Sequence, residues 1–201
     1  MLQQLTDVEI SDDRIRIIHL GIDAPHWNYQ PWPAPAQPRF VFIGCLKAKQ
    51  GSEDVIGALA CLRDRYDMTA QIDVIAAGLL ESSLRQAVNR IGLDGQVQFI
   101  GPLPRNAVAA YLSDATALVL PHSMMTSDGD SEGTPVVLME AQPLGLPSMT
   151  TRHAANPEVL PPRALRFIVA AHDVNSLAAA MARIVRFYDV KRRTLQDGGR
   201  A

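Results

Sequence analysis

From Arg39 onward, short apolar runs alternate with longer amphipathic ones. Phe40-Val41-Phe42-Ile43 is an unbroken apolar stretch of strand length, ended by Gly44. Ile72 to Ala76, Val97 to Ile100, Ala117 to Leu120, Ser148 to Thr151 and Arg166 to Val169 read as five further strands. Between them the spacing predicts helices. One runs from Ser52, a residue able to cap it, to about Arg65, with Val55, Leu59 and Leu62 on one face. Others span about Glu81 to Ile91, Asn106 to Ser113, Pro135 to Leu144 and Ser176 to Tyr188. Strands that are apolar throughout are buried on both faces. The pattern therefore predicts an α/β domain, a doubly wound and mostly parallel sheet of Rossmann-like type. Such sheets bind ligands beyond the carboxyl ends of their strands, which puts the loops 44–51, 76–80, 101–105, 121–134 and 151–157 on the binding edge.

Upstream of Arg39 the pattern differs. Residues 1–12 are polar and acidic, and Arg14 to Ile18 alternates like a strand. Gly21 to Pro38 is too rich in proline for regular structure, and Trp27 and Trp32 are expected to pack this connector onto the domain. The expected division is a lead-in strand and Pro-rich connector over 1–38, then a single Rossmann-like domain over 39–201.

Composition narrows the function classes. Hydrophobic residues form 47% of the 201, enough for a substantial core, and the net charge is −2 with no block of Lys or Arg. That argues against nucleic acid and membrane surfaces as partners. No apolar run reaches transmembrane length, and Met1 to Ile10 lacks the apolar segment of a signal peptide. Cys45 and Cys61 have neither CxxC nor zinc spacing, so a reduced, cytosolic setting is expected.

The chemistry concentrates in Asp128-Gly129-Asp130-Ser131-Glu132-Gly133-Thr134-Pro135-Val136-Val137-Leu138-Met139-Glu140. Pro135 suits a first helical position, where its missing N–H costs nothing. The amides of Gly133, Thr134, Val136 and Val137 would then face an anionic or hydroxyl-rich ligand. The alternating acids resemble a calcium loop, but the twelfth position is Met139, Glu140 falls one place late, and Pro135 would start a helix inside the loop. No metal is expected. Glu140 reads either as a charge stabilising the helix start or, with Glu132, as an acceptor for sugar or ribose hydroxyls. The five histidines show no ligand spacing, and Ser123 and Ser131 lack a nucleophile-elbow pattern. His153 follows a strand at the binding edge and reads as a surface residue or a phosphate or acceptor contact. Cys45 reads as a small filler or a reactive thiol.

Glu132 to Ala141, with Gly145-Leu146-Pro147 and Thr151-Arg152-His153 after it, closely resembles the E-x7-E and G-x-P motifs of the retaining group 1 glycosyltransferases of GT-B fold. Gly44 and Gly51, Phe99-x-Gly101, Asp114-Ala115, Leu120-Pro121 and Pro157-Glu158 agree in order, and Asp128-Gly129-Asp130 resembles members that build exopolysaccharide and other surface glycans. The resemblance covers about residues 14–198. It implies the C-terminal, donor-binding half of a two-domain enzyme that transfers a hexose from a nucleotide-diphosphate sugar, without a metal cofactor, to a glycan or lipid-linked acceptor. The N-terminal acceptor domain would be missing, and the chain alone would be inactive. It also implies a cytoplasmic protein, peripheral at the inner membrane face through the missing half. Carried over, Glu132 faces the anomeric centre, and Gly133, Thr134, Pro135 and Val136 line the donor. Glu140 accepts from the ribose, Gly44 borders the donor, and Gly101 and Leu103 lie near the base, while Lys49 is a donor-binding candidate only as a substitute for the usual cations.

The sequence departs from the family where the donor diphosphate is neutralised. The usual Arg and Lys positions hold Cys45 and Gln50, while Lys47 and Lys49 stand one step out of register, with side chains expected to point elsewhere. Ala76-Ala77-Gly78-Leu79 replaces a usual Gly-Asp-Gly-Pro, and Pro161 to Arg166 replaces an Asp-Gly-x-x-Gly turn. Three readings follow: an active enzyme in which Lys49 or Arg152 substitutes, a degenerate homologue that binds donor weakly, and a non-catalytic interaction or regulatory domain on the same fold.

Overall fold

A computed structural model describes residues 20–22, 27, 37–122, 133, 135–153 and 156–198, with backbone alone from 190 onward. Six strands form one sheet: β1 (Arg39–Cys45), β2 (Gln71–Ala77), β3 (Val97–Phe99), β4 (Ala117–Leu120), β5 (Ser148–Thr151) and β6 (Ile168–Val169). Their order is β3-β2-β1-β4-β5-β6, and every pairing is parallel. This is the doubly wound order, with its reversal point between β1 and β4. The connecting helices are α1 (Ser52–Tyr66), α2 (Glu81–Arg90), α3 (Arg105–Asp114), α4 (Val136–Ala141), α5 (Asn156–Val159) and α6 (Val174–Gly198). Right-handed crossovers place α1 and α2 on one face and α3, α4 and α5 on the other, and α6 returns to pack along α1. Phe40, Phe42, Ile72, Leu118 and Leu120 are fully buried, so the apolar strands have helices on both sides, as their sequences require. The strand expected at Arg14 to Ile18 lies outside the described residues. Within the connector, Trp27 is buried against the core as expected, while Trp32 is not described.

Several boundaries differ from the sequence reading. Ser52 begins α1 but does not cap it; the cap is Gly51, with φ at +69°, and the buried Ser52 hydroxyl has no partner among the described residues. The chain reaches α1 through a 3-10 turn at Ala48–Gln50, so a left-handed residue must make the corner. Pro135 is the extended residue before α4 rather than its first helical one, and α4 ends at Ala141 instead of Leu144. Pro143 has no N–H to continue the helix; Gly145, with φ at +69°, donates to the Gln142 carbonyl at 2.8 Å and turns the chain toward β5. The last strand is only Ile168–Val169, because Pro161 and Pro162 start a 3-10 helix that runs to Phe167. Finally, α6 begins at Val174 and continues to Gly198. Asp173 accepts hydrogen bonds from the Ser176 amide and hydroxyl, and the hydroxyl's bond does most to hold the carboxyl below the usual aspartate range.

Polar residues in the sheet are mostly satisfied. Thr150 Oγ1 donates to the Leu120 carbonyl at 2.8 Å, Thr151 Oγ1 donates to the His122 carbonyl, and the Asn156 side-chain amide donates to Thr150 Oγ1 at 2.9 Å. These bonds tie the carboxyl end of β4 to β5 and α5. Asp73 in β2 is the exception. It is 2% exposed, its Oδ1 has no hydrogen-bond partner among the described residues, and the Arg39 guanidinium is 3.7 Å from Oδ2. Burial raises its pKa and Arg39 only partly offsets this.

Two predictions follow from these positions. A carboxyl with a raised folded pKa favours folding below its unfolded pKa, and that contribution is lost as pH rises through the folded value. Asp73→Asn should therefore raise the melting temperature at pH 7, and the gain should vanish near about pH 4, as thermal melts across pH will show. At Gly51 an added Cβ would overlap the Pro121 carbonyl oxygen and lie 2.9 Å from its carbon, besides being strained at positive φ. Gly51→Ala should cost roughly 3 kcal/mol or more in urea-unfolding experiments.

Candidate functional site

The reversal of strand order opens a crevice where the loops after β1 and β4 diverge. A cavity of about 280 Å³ lies there, lined by Gly44, Cys45, Lys47, Lys49, Gln50, His122, Pro135, Val136 and Val137, among others. Its shape comes from the β1–α1 loop. The Lys47 amide donates to the Cys45 carbonyl at 2.9 Å and the Gln50 amide to the Lys47 carbonyl at 3.0 Å, so the loop curls back over the end of β1. Leu46 anchors it from below with no exposed surface. The same curl brings both lysines to the cavity. Lys47, extended, and Lys49, inside the 3-10 turn, both border the cavity although they stand one step out of the family register.

Gln50 stands where the family usually has a lysine, and it is turned inward. It is buried, and its Oε1 is 2.8 Å from His122 Nε2, so His122 donates from a protonated Nε2. A Cβ on Gly44 would sit 2.8 Å from that same Oε1, so the bare backbone of Gly44 makes room for the pair. His122, one of the scattered histidines in the sequence, is thus a central residue of the crevice. The readable signal was its place directly after Leu120-Pro121, at the carboxyl end of a central strand. Cys45 is exposed at the rim and its thiol is free, occupying no interior space as a filler would.

Glu140 lies one turn along α4 from Val136 and is 6% exposed. The Arg105 guanidinium holds it: Nε is 3.1 Å and Nη2 2.9 Å from the same oxygen, Oε1. Oε2 accepts no hydrogen bond from a described residue. Arg105 is the first residue of α3 and also lies over the Trp27 ring, 5.9 Å from its centroid. Nothing in the sequence singled out Arg105, since its partner is 35 positions away.

The other expected residues disperse. Glu132 and Thr134 lie outside the described residues, and Gly133 is exposed. Gly101, with φ at +83°, and Leu103 follow β3, between the sheet edge and Arg105, and do not line the cavity. Arg152 is exposed beyond β5 and does not line it either. His153 is buried, not a surface residue: its carbonyl accepts from the Asn156 amide at 3.0 Å, which folds it under α5. Among the described residues no group of His, Cys, Asp and Glu could hold a metal ion. The cavity thus gathers two lysines at a helix start, while Glu140, fixed by Arg105 a turn further along α4, does not line it. Cations suit phosphate and carboxylate suits a diol.

Arg105→Ala would strand the buried Glu140 carboxylate. It should lower stability by about 1–3 kcal/mol in denaturant titrations, with Arg105→Lys recovering part of the loss.

Residues 37–186 match the family model described as glycosyl transferases group 1. The chain is 30% identical over 171 residues to the putative colanic acid biosynthesis glycosyltransferase WcaL of Escherichia coli K12, covering 85% of this chain and 42% of that protein. It is also 30% identical over 173 residues to the amylovoran biosynthesis glycosyltransferase AmsK of Erwinia amylovora, covering 86% and 42%. The chain therefore spans less than half the length of these relatives. In fold it matches the C-terminal domain of a group 1 glycosyltransferase, LpcC, from Francisella tularensis, with a TM-score of 0.69, 19% identity and coverage of 86% and 91%. It also matches HepE of Anabaena, solved with UDP, with a TM-score of 0.73, 15% identity and coverage of 96% and 56%. With three quarters of its length matched by the family model, the chain belongs to the group 1 glycosyltransferases.

Proposed function

We propose that this chain is the donor-binding half of a retaining glycosyltransferase of polysaccharide biosynthesis, moving a hexose from a nucleotide-diphosphate sugar to a glycan or lipid-linked acceptor. The observation that carries the proposal is the pairing of a lysine-lined cavity at the reversal point with a carboxylate, Glu140, fixed by Arg105 one helical turn away. In this reading Lys47 and Lys49 neutralise the diphosphate, in place of the basic residues displaced by Cys45 and Gln50. The backbone from Gly133 to Val137 lies against the donor, and Oε2 of Glu140 accepts from the ribose hydroxyls. Gly101 and Leu103 border the base. Glu132 faces the anomeric carbon, with no metal cofactor. The acceptor side comes from an N-terminal domain, without which the chain transfers no sugar. Among the described residues no helix is long and apolar enough to cross a membrane, and a cytoplasmic setting peripheral to the inner membrane face belongs to the same proposal.

A second reading rests on Gln50. Its burial against His122 removes a cation from the diphosphate end, which favours a weak nucleotide-binding or regulatory homologue.

Calorimetry with UDP- and GDP-sugars tests both. The first reading expects saturable binding. Glu140→Ala and the Lys47→Ala/Lys49→Ala pair should each weaken it by about tenfold or more, since a hydrogen bond to a charged group contributes about 1.5–3 kcal/mol. Binding detectable only at millimolar ligand, and indifferent to the lysines, would favour the second. The absence of binding at millimolar ligand would exclude the donor role.

A further inference from the structure

The cavity at the reversal point holds one group that the donor-binding proposal leaves unused. His122 lines it and is 1% exposed. Its backbone is fixed on both sides: the amide donates to the Leu120 carbonyl at 3.0 Å, and the carbonyl accepts from Thr151 Oγ1. Its ring is fixed by Gln50, whose Oε1 lies 2.8 Å from Nε2. A carboxamide oxygen only accepts, so Nε2 carries a hydrogen in either charge state of the ring. Protonation adds the second hydrogen at Nδ1 and leaves the Gln50 bond in place. Gln50 thus orients a ring that can change its charge without moving.

The surroundings are short of anions. No aspartate or glutamate lines the cavity. On the loop after β1, Lys47 and Lys49 bring cations to it, and Cys45 brings a thiol at the rim. From α4 come Val136 and Val137; Glu140 lies outside the lining and is ion-paired to Arg105. On α1, Glu53 is exposed, and Asp54 lies 3.2 Å from His172 Nδ1. β5 contributes the uncharged Thr150 and Thr151, with the buried His153 beyond its end. Among the described residues, then, the charges that share the cavity with His122 are both positive. A bound donor reverses that balance. The diphosphate of a sugar nucleotide is esterified at both ends and keeps its negative charges across the neutral range, and a nearby opposite charge favours the charged form of a titratable group.

We propose that His122 takes up a proton when the donor diphosphate binds, and so supplies the cation that a lysine at position 50 usually supplies in this family. The proton comes from solvent, and the only bond formed is the N–H at Nδ1. A lysine would be charged in the empty site as well; the imidazole is charged only beside phosphate. An ordinary imidazole pKa, about 6.5, is close enough to neutrality for one nearby diphosphate to tip the ring. Proton and donor then favour each other's binding reciprocally, so donor affinity is highest on the acid side of neutrality and falls as pH rises. The inference rests on the donor-binding proposal and deepens it, since it makes Gln50 the holder of a conditional cation and not merely a lost one.

Calorimetric titration of the 201-residue chain with UDP- and GDP-sugars, run in MOPS and again in Tris, counts the protons exchanged, because the two buffers differ in ionisation heat. The sugar nucleotide that binds should bring between about half a proton and one proton just above neutral pH, and its affinity should fall about three- to tenfold per pH unit there. His122→Asn should abolish the uptake and flatten the pH profile, whereas Cys45→Ser should leave both. Because His122 is buried, wild type is also read without any substitution: in histidine ring NMR spectra, His122 should pass from neutral imidazole to imidazolium on saturation. The proposal is overturned if a sugar nucleotide binds without proton uptake, if uptake persists undiminished in His122→Asn, or if the His122 ring stays neutral in the saturated protein. Failure of every sugar nucleotide to bind at millimolar concentration is a separate result: it overturns the donor-binding reading, and this inference with it.

Discussion

The site depends on one close approach of backbone to backbone, where Gly51 passes the Pro121 carbonyl with no room for a side chain. That approach holds the loop after β1 over the end of β4, and so closes the crevice that the strand order opens. Everything else at the crevice is placed by it. Lys47 and Lys49, on the loop just before Gly51, border the cavity, and Gln50 drops inward to meet His122. The Thr150 and Thr151 hydroxyls then bind the end of β4 to its neighbour on the far side. A sheet of this topology always has a crevice at its reversal point; in this chain a glycine and a few buried hydrogen bonds make it rigid.

Charge divides the molecule in three. The cavity has its lysines, and outside its lining Arg105 keeps a separate carboxylate, Glu140, in place. The sheet interior carries one awkward charge, Asp73, which burial disfavours and Arg39 only partly relieves. The opposite edge, on the amino-terminal side of β5 and β6, has four arginines, Arg163, Arg166, Arg183 and Arg186, without carboxylate partners among the described residues. A net charge of −2 conceals this arrangement.

Much of the fold was legible, for a physical reason. Strands such as Ala117–Leu120 and Ser148–Thr151 are short and buried on both faces, so sequence pattern and structure share the same limits. Three of the misplaced boundaries lie where a turn, not periodicity, decides: Gly51 before α1, Pro143 at the end of α4, Pro162 before β6. Motif spacing singled out Gly44, Pro135 and Val136, which line the cavity, and Glu140, which does not. It could not show that Gln50 is turned inward, that Lys47 reaches the cavity, or that Arg105 and His122 belong there, because each depends on a partner distant in sequence. His153 likewise appeared exposed in a loop, and only the packing of α5 shows it covered.

The central claim is that a nucleoside diphosphate enters the crevice between β1 and β4, with its phosphates at the lysines and its ribose at Glu140. Mapping backbone amide chemical shifts during a titration with UDP or GDP tests this most directly. Shifts should concentrate at residues 44–51, 101–105, 122 and 133–140 and leave 160–167 and 183–187 unmoved. Shifts confined to the arginine-bordered face, or saturable binding without any change along 44–51, would contradict it.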